Sequence, residues 1–404
     1  MRAGTLPRLT GPAPGPLPLV RARPTIRTEK LLYSANRGNP VSETAAPAVT
    51  ENQIRDALAT VQYPGTGRDL NALGFVGRVK ICEGMVGIDV ELPGAAGPSK
   101  ETLRNEISRA VGAVPGVTSV TVNLTSTVRR TAPKSAVLGE VKNVIAVASG
   151  KGGVGKSTVA ANLACALKKA GGTVGLMDCD IYGPSQPMMF GVAARPQMTA
   201  RGDQILPIEQ YGIGLMSMGF LSDERTPVIW RGPMVHNLLR QFLGQVAWGP
   251  LDYLVMDLPP GTGDAQLTLT QLAPLSGAVI VTTPQDVSLI DARKGLRMFQ
   301  EVKVPVLGVV ENMSVFACEA CGHRHEIFRR GGARKLCEEN GVPYLGEVPI
   351  DPEVVVGGDE GTPIVIRKPD SPAAKAFTEL ADRVAAGLAA LSLRDEAEIP
   401  SLKL

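Results

Sequence analysis

Five short apolar segments, separated by stretches with helical periodicity, dominate the chain after residue 141. Each is a continuous apolar run of strand length, as in strands that are buried on both faces of a sheet. The predicted strands are residues 144–148, 173–177, 253–256, 278–282 and 306–310. This alternation predicts an α/β domain, in which helices cover both faces of a parallel sheet.

A smaller unit with a different pattern precedes this domain. Residues 51–62 and 99–111 have helical periodicity, whereas residues 77–81, 86–92 and 117–124 alternate or are strand-like. The order predicts a small α-β-β-α-β domain of the α+β class over residues 49–126, with its first two strands in a β-hairpin. We expect a linker at 127–141, the α/β domain at 142–393 and a C-terminal tail at 394–404.

Residues 1–48 are predicted to be a disordered tail, because they are rich in Pro and Arg and have no periodic apolar face. They contain no apolar segment followed by a small-residue cleavage site, which argues against a secretory signal. We favour upstream sequence included by a misplaced start, with a truer beginning near Val41 and a bacterial-type cytoplasm. A transit peptide for the plastid stroma or the mitochondrial matrix is the alternative.

The net charge of +3 comes from the N-terminus, because residues 1–40 contain seven of the 42 basic residues and one of the 39 acidic residues. The remainder has 35 basic and 38 acidic residues and lacks the concentrated positive field of a nucleic-acid-binding protein. No apolar run is long enough to span a bilayer. We therefore expect no nucleic acid and no membrane as partner, and the six cysteines indicate thiols of a reducing compartment.

A glycine-rich segment directly follows the first apolar strand and has the spacing G-x-x-x-x-G-K-[ST]. It consists of Gly150, Lys151, Gly152, Gly153, Val154, Gly155, Lys156, Ser157 and Thr158. Glycines let backbone N–H groups turn inward around phosphate oxygens, and the following helix adds its positive N-terminus. Lys156 is expected to reach the outer phosphates and Ser157 to ligate Mg²⁺. The segment therefore predicts the fold of a P-loop NTPase.

Three acids at the ends of predicted strands are candidates for the metal and the reaction. Asp257 closes strand 253–256 as a Walker B acid does, and it is predicted to hold Mg²⁺ directly or through water. Asp178 and Asp180 follow strand 173–177, at the edge of the sheet where ligands bind in such folds. A role in a turn or as a helix N-cap is the alternative for these acids.

Lys151 is an additional lysine that the general P-loop pattern does not require. Together Lys151 and Lys156 give the deviant Walker A pattern x-K-G-G-x-G-K-[ST] of dimerising ATPases. In proteins resembling these, the extra lysine reaches the phosphates bound to the partner subunit and acts like an arginine finger. A solvated surface lysine is the alternative.

Cys318 and Cys321 form a C-x-x-C pair, a spacing that can place two thiolates on one metal or cluster. Unliganded thiols and a redox dithiol are alternatives. Zinc is another, because His323 and His325 would complete four N/S ligands within one chain. In a symmetric dimer, a pair near the two-fold axis would supply the four thiolates that a [4Fe–4S] cluster usually takes.

From about residue 140 to 390 the chain resembles the Mrp/ApbC family of P-loop ATPases, which are carriers or scaffolds for iron–sulfur cluster assembly. The resemblance rests on residues 149–158, 177–185, 230–234, 251–253, 257–264, 311–313 and the two cysteines. It implies an ATP-hydrolysing homodimer that binds ATP, Mg²⁺ and a labile [4Fe–4S] cluster. Upstream cluster-assembly proteins would supply the cluster, and apo iron–sulfur proteins would receive it.

The resemblance also implies roles for individual residues. Asp180 would position the attacking water or sense the γ-phosphate. Asn312, and with it Pro349 and Asp351, would contact the adenine nucleotide.

Residues 49–126 resemble the small MIP-type domain that is often fused ahead of such an ATPase, with two departures. Tyr63-Pro64-Gly65 stands where Asp-Pro-Glu is common, and Gly97 stands where many members have Cys. A direct metal-binding role for the small domain is therefore in doubt. We expect Cys82, at the end of a strand, to be a core thiol.

A partitioning or spatial-organisation ATPase is the alternative from a different functional class, because it shares the deviant Walker A pattern and assembles on membrane or DNA. The helical segment 373–392 has only Lys375 and Arg383 as basic residues, too few for a membrane-binding amphipathic helix. Such an ATPase also has no evident use for a C-x-x-C pair. A P-loop ATPase with a zinc site is the third possibility.

Overall fold

The computed structural model describes residues 49–63, 68–93, 98–133, 137–220, 232–318 and 321–398. Several positions considered above lie outside the described residues: the tail 1–48, residues 64–67, Gly97, Trp230, Arg231 and residues 399–404.

Twelve strands and eleven α-helices make up the described part of the chain. The strands are β1 (Val76–Cys82), β2 (Met85–Pro93), β3 (Ser119–Thr127), β4 (Val141–Ser149), β5 (Val174–Asp178), β6 (Ile208–Gln210), β7 (Ile213–Ser217), β8 (Leu251–Asp257), β9 (Gly277–Thr282), β10 (Val306–Ala317), β11 (Arg324–His325) and β12 (Tyr344–Ile350). The helices are α1 (Glu51–Leu58), α2 (Pro98–Gly112), α3 (Lys156–Lys169), α4 (Gln186–Met189), α5 (Gly232–Gln245), α6 (Asp264–Leu272), α7 (Asp286–Glu301), α8 (Gly332–Asn340), α9 (Pro352–Asp359), α10 (Ile364–Arg367) and α11 (Pro372–Glu398).

The small domain has the predicted α-β-β-α-β order. β1 and β2 form the antiparallel hairpin, and β3 adds to β2 in parallel. Glu83 and Gly84 connect the hairpin with φ of 48° and 79°, and two left-handed residues are what a type I′ turn needs. Cys82 was expected in the core, and this expectation is wrong: the residue lies beside the turn and is exposed.

The large domain is built on a nine-stranded sheet in the order β11-β10-β9-β4-β8-β5-β7-β6, with β12 also paired to β10. All five predicted strands are present, and β7 and β12 extend their parallel arrangement. The sheet is parallel as predicted except at its edges, where β6 and β11 pair antiparallel with their neighbours. Strand β6 has three residues and β11 has two, which is too short for a periodic hydrophobic pattern in the sequence.

Helices cover both faces of this sheet, as predicted. Along β4, Ile145 and Val147 face the cluster formed with α3, α10 and α11, whereas Val144 and Ala146 face α5 to α8. Successive side chains of a strand point to opposite faces, so a strand covered on both sides must be apolar throughout. All the parallel strands end at one edge, where their connections to the helices form the candidate site.

Helix α11 connects the two domains. The sequence predicts a helical segment over residues 373–392, and in the structure α11 continues to Glu398, into the segment expected to be a tail. Its buried residues Phe377 and Val384 pack in the core of the large domain, whereas Leu393 packs against the core of the small domain. Within the described residues, no helix combines the length and apolarity needed to cross a bilayer.

Candidate functional site

The turn between β4 and α3 is packed so closely that two of its glycines have no space for a side chain. A Cβ on Gly150 would lie 2.2 Å from the backbone of Asp291 in α7. A Cβ on Gly155 would lie 2.2 Å from Nδ2 of Asn312. Gly153 and Gly155 also have φ of 79°, a left-handed conformation that favours glycine. The turn therefore leads into the N-terminus of α3 with the geometry of a phosphate-binding loop.

Lys156 and Asp257 form a buried ion pair that joins this loop to the end of β8. The Lys156 ammonium also lies 3.3 Å from the Ser157 hydroxyl. From α4, the Gln186 amide donates to Asp257 Oδ2 at 2.8 Å and to the Ser157 carbonyl at 3.0 Å. Lys156, which is predicted to bind phosphate, is thus in direct contact with Ser157 and Asp257, the two predicted Mg²⁺ ligands.

Asp178 lies beside Asp257, because the two residues are register partners on β5 and β8. It accepts hydrogen bonds from the N–H groups of Asp180, Ser185 and Gln186 at 3.0–3.1 Å and from the Ser217 hydroxyl at 2.9 Å. Burial, and secondarily the nearby Asp257 carboxylate, raise the Asp178 pKa to about 7 despite these bonds. These contacts make Asp178 an anchor for residues 180–186, next to the predicted Mg²⁺ ligand Asp257.

Asp180 borders a cleft of about 610 Å³ at the carboxyl edge of the sheet. Its Oδ1 accepts from the N–H groups of Tyr182 and Gly183, each at 3.2 Å, which fixes the side chain in a tight turn. Pro260 and Gln266 also line this cleft. A carboxylate held at the edge of an open cleft can orient a water molecule for attack on a phosphate.

The oxygen chemistry of this site fits Mg²⁺. Ser157 and Asp257 supply the hydroxyl and carboxylate oxygens that Mg²⁺ prefers. At the same edge, three buried atoms have no hydrogen-bond partner within the described residues: Ser185 Oγ, Gln186 Oε1 and Gln266 Oε1. Buried polar atoms of this kind are usually satisfied by bound water or ions, so the donor set is appropriate for a hydrated metal.

A largely apolar cavity of about 480 Å³ opens beside the phosphate-binding loop. Gly155 and Thr158 line one end, and Asn312, Pro349 and Asp351 line another part. The resemblance had implied a nucleotide-binding role for the last three residues, and the fold brings all of them to one cavity. An apolar cavity with an amide and a carboxylate suits a planar base with polar edges.

The cysteine pair lies at the turn of a β-hairpin. β10 ends at Ala317 and pairs with β11, and the Cys318 N–H donates to the His323 carbonyl at 2.9 Å. Cys318 is half-buried and Cys321 is exposed. The rings of His323 and His325 pack edge to face, 4.5 Å between centroids. The hairpin thus presents two thiols on the surface, beside two imidazoles.

Strand β10 connects the phosphate-binding loop to the cysteine turn. The buried Asn312 amide donates to the Val154 carbonyl at 2.8 Å, so β10 is fixed to the loop itself. The next residue, Met313, has φ of 57°, a conformation that costs a bulky side chain on the order of 1–3 kcal/mol. Cys318 follows in the same chain segment, at most about 20 Å from Asn312 at the rise of a strand.

Three residues of the site were not predicted. Gln186 holds Asp257, Ser217 holds Asp178, and the buried Glu311 accepts from the N–H groups of Gly331 and Ala333 at the start of α8, each at 2.8 Å. Each acts through a tertiary contact, so no local spacing indicates it. Glu311 alone had a weak signal, because it is an acid within an apolar strand.

Replacing Asp178 with Asn should change how stability depends on pH. The folded pKa of about 7 lies above the ordinary value of 3.8, so the stability contributed by Asp178 is complete below pH 3.8 and is lost as pH rises through about 7. We therefore expect the free energy of unfolding of the native protein, relative to Asp178→Asn, to fall between pH 4 and pH 7 in denaturant titrations. Exposed Asp203→Asn is the control and should show no such trend; a constant difference for Asp178→Asn would contradict the assignment.

Two known families match the chain. Residues 140–385 match the family described as NUBPL iron-transfer P-loop NTPase, and residues 51–123 match the family described as iron–sulfur cluster assembly protein.

Individual relatives agree with these matches. An iron–sulfur cluster carrier protein of Synechocystis sp. is 48% identical over 343 residues, which cover 83% of this chain and 97% of the relative. The carrier protein of Escherichia coli K12 is 42% identical over 353 residues, which cover 87% and 95%. A solved nucleotide-binding protein from Archaeoglobus fulgidus in complex with ADP is 40% identical, with a TM-score of 0.51 over 58% of this chain and 91% of that one.

The match over residues 140–385 contains the phosphate-binding loop, the acids around it and the cysteine hairpin. The match over residues 51–123 contains most of the small domain. The chain therefore belongs to the family of NUBPL-type iron-transfer P-loop NTPases.

Proposed function

We propose that the protein is an ATP-hydrolysing iron–sulfur cluster carrier that binds a labile [4Fe–4S] cluster as cargo and transfers it to apoproteins. The observation that carries the proposal is β10, which contacts the phosphate-binding loop through Asn312 and leads directly to the cysteine turn. The names of the relatives support the same role, because the Synechocystis and Escherichia coli proteins are called iron–sulfur cluster carriers. A change in the bound nucleotide would therefore be transmitted through β10 to the cysteine turn that would hold the cluster.

The cluster would be shared between two copies of the chain. Each hairpin offers the thiols of Cys318 and Cys321, and a [4Fe–4S] cluster usually takes four thiolates. A two-fold axis near the turn supplies the other two from the same residues of the second copy. The same symmetry would let Lys151, which is partly exposed at the loop, reach phosphates bound to the other subunit.

ATP would bind with its phosphates at residues 150–158 and its base in the apolar cavity that Asn312 lines. Lys156 would neutralise the outer phosphate oxygens, and Asp180 would orient the attacking water. Ser157 and Asp257 would hold Mg²⁺, directly or through water, with Asp178 close by. The metal supplies positive charge to the phosphates.

Cluster transfer needs ligand exchange and no electron transfer. An acceptor thiol replaces Cys318 or Cys321 at iron, so one Fe–S(Cys) bond forms as another breaks. The proton released by the acceptor thiol is taken up by the departing thiolate, directly or through solvent. A half-exposed and an exposed cysteine can both be reached by an acceptor.

The partners that follow are a second copy of this chain, upstream cluster-assembly proteins and apo iron–sulfur proteins. The bacterial relatives support a bacterial-type cytoplasm as the location. The single-chain zinc site considered from the sequence is not supported: among the described residues, no three His, Cys, Asp or Glu side chains are placed to hold one metal ion, although the rings of His323 and His325 are in contact.

Metal analysis tests the cargo. After anaerobic purification and reconstitution we expect about two iron and two sulfide per chain, lost in Cys318→Ala/Cys321→Ala, because half of a four-iron cluster belongs to each subunit. Cys337→Ala, at a buried thiol away from the hairpin, is the matched control and should keep its iron. One tight zinc per chain without reconstitutable iron would contradict the proposal.

Lys156→Ala should abolish ATP turnover and cluster transfer while leaving the iron content intact. This change leaves Asp257 buried without its cation, which typically costs about 3–5 kcal/mol of stability. Lys151→Ala is therefore the second variant: it breaks no ion pair of the described residues and should lose turnover and transfer together. Transfer that continues without turnover in either folded variant would refute the coupling.

A further inference from the structure

The two carboxylate oxygens of Asp257 have different partners. The residue is completely buried, and its Oδ1 pairs with the Lys156 ammonium, whereas Oδ2 accepts from the Gln186 amide at 2.8 Å. A buried carboxylate is costly unless it is paired and hydrogen-bonded. Each partner therefore controls one oxygen of the acid that is proposed to hold Mg²⁺.

Bound ATP would separate these two partners. Lys156 is proposed to neutralise the outer phosphate oxygens, and its movement to them would free Oδ1 of Asp257 while Gln186 still holds Oδ2. We propose that Gln186 is the positioning residue of the magnesium site, because it fixes Oδ2 so that Oδ1 is presented to the metal or to a water bound to it. The inference rests on the proposed ATP site and adds to it a residue that the sequence did not indicate.

The orientation of the Gln186 amide follows from its neighbours. Its nitrogen donates to Asp257 Oδ2 at 2.8 Å and to the Ser157 carbonyl at 3.0 Å. Both neighbours are acceptors, so only the nitrogen of the amide can face them. One amide thus spans the two residues that are proposed to supply oxygens to Mg²⁺.

The backbone of Gln186 is fixed independently of its side chain. Its N–H donates to Asp178 Oδ2 at 3.1 Å, and the same oxygen accepts from the Ser217 hydroxyl at 2.9 Å. Asp178 on β5 is the register partner of Asp257 on β8. The Gln186 side chain therefore starts from a fixed point on the sheet, as the precise support of a metal ligand requires.

The carbonyl oxygen of the same amide is unpaired. Gln186 is completely buried, and its Oε1 has no hydrogen-bond partner among the described residues. An unpaired buried acceptor typically costs about 1–3 kcal/mol. An apolar side chain could pack α4 against the sheet without this cost, so packing alone does not account for a glutamine here. Mg²⁺ usually keeps several waters when it binds, and these would bring donors to this part of the site.

Magnesium affinity tests the proposal without depending on turnover. Gln186→Met keeps a side chain of similar length but removes the amide. Mg²⁺, titrated into the complex of the protein with a fluorescent ADP analogue, should bind about 10- to 100-fold more weakly in this variant, as when other residues that orient a metal ligand are lost. Affinity for the analogue in EDTA should stay within about twofold, because backbone N–H groups bind the phosphates without the metal.

Gln210→Met is the matched control. The Gln210 amide donates to the carbonyl of Phe190, the C-cap of α4, at 3.1 Å. This change therefore loosens the far end of the same helix without removing a bond to Asp257, and it should leave the magnesium affinity at the native value. Gln186→Asn keeps an amide on a side chain one methylene shorter; it is the second variant if Met at position 186 prevents folding, and it should show the same selective loss.

The outcomes separate the two hypotheses. If the native protein binds neither the analogue nor its magnesium complex, the proposed ATP site fails, whatever Gln186 does. If native binding is normal and both Gln186 variants bind Mg²⁺ as tightly, the positioning role is overturned. An equal loss in Gln186→Met and Gln210→Met would assign both glutamines to the stability of α4, which would also overturn it.

Discussion

The amide of Asn312 occupies the place where any residue other than glycine at position 155 would have its Cβ. This contact fixes three elements at once: the left-handed turn at Gly155, the start of α3 and the position of β10. A larger residue at 155 would have to push β10 away from the loop. The nucleotide site and the cysteine hairpin are consequently parts of one packed unit, although the two motifs lie about 160 residues apart in sequence.

Buried charge makes this unit sensitive to what binds. Lys156 and Asp257 are paired away from water, and Asp178 lies beside them with a raised pKa. Removing one partner of such a pair typically costs about 3–5 kcal/mol, so the lysine cannot turn toward a phosphate without a change around Asp257. The Gln186 amide donates to both the Asp257 carboxylate and the Ser157 carbonyl. A change around Asp257 would therefore also move the phosphate-binding loop.

The sequence was sufficient where function depends on local spacing. The loop at 150–158, the acid after β8 and the cysteine pair are short motifs next to strands with continuous apolar runs, and local spacing is enough to predict each of them. Contacts between distant segments could not be assigned in this way. Gln186 reaches Asp257 only because α4 follows β5, and Cys82 is exposed only because a two-residue turn follows it. The short edge strands β6 and β11 depend on their neighbours and have no pattern of their own.

The central claim is that nucleotide and cluster are coupled through β10, and coupling between binding sites is reciprocal. The most direct measurement is the affinity for a non-hydrolysable ATP analogue with and without the reconstituted cluster. We predict that the two dissociation constants differ by about fivefold or more in the native protein, and that their ratio approaches one in Asn312→Ala, whatever the absolute affinities. Equal affinities in the native protein, or an unchanged ratio in the variant, would contradict the account.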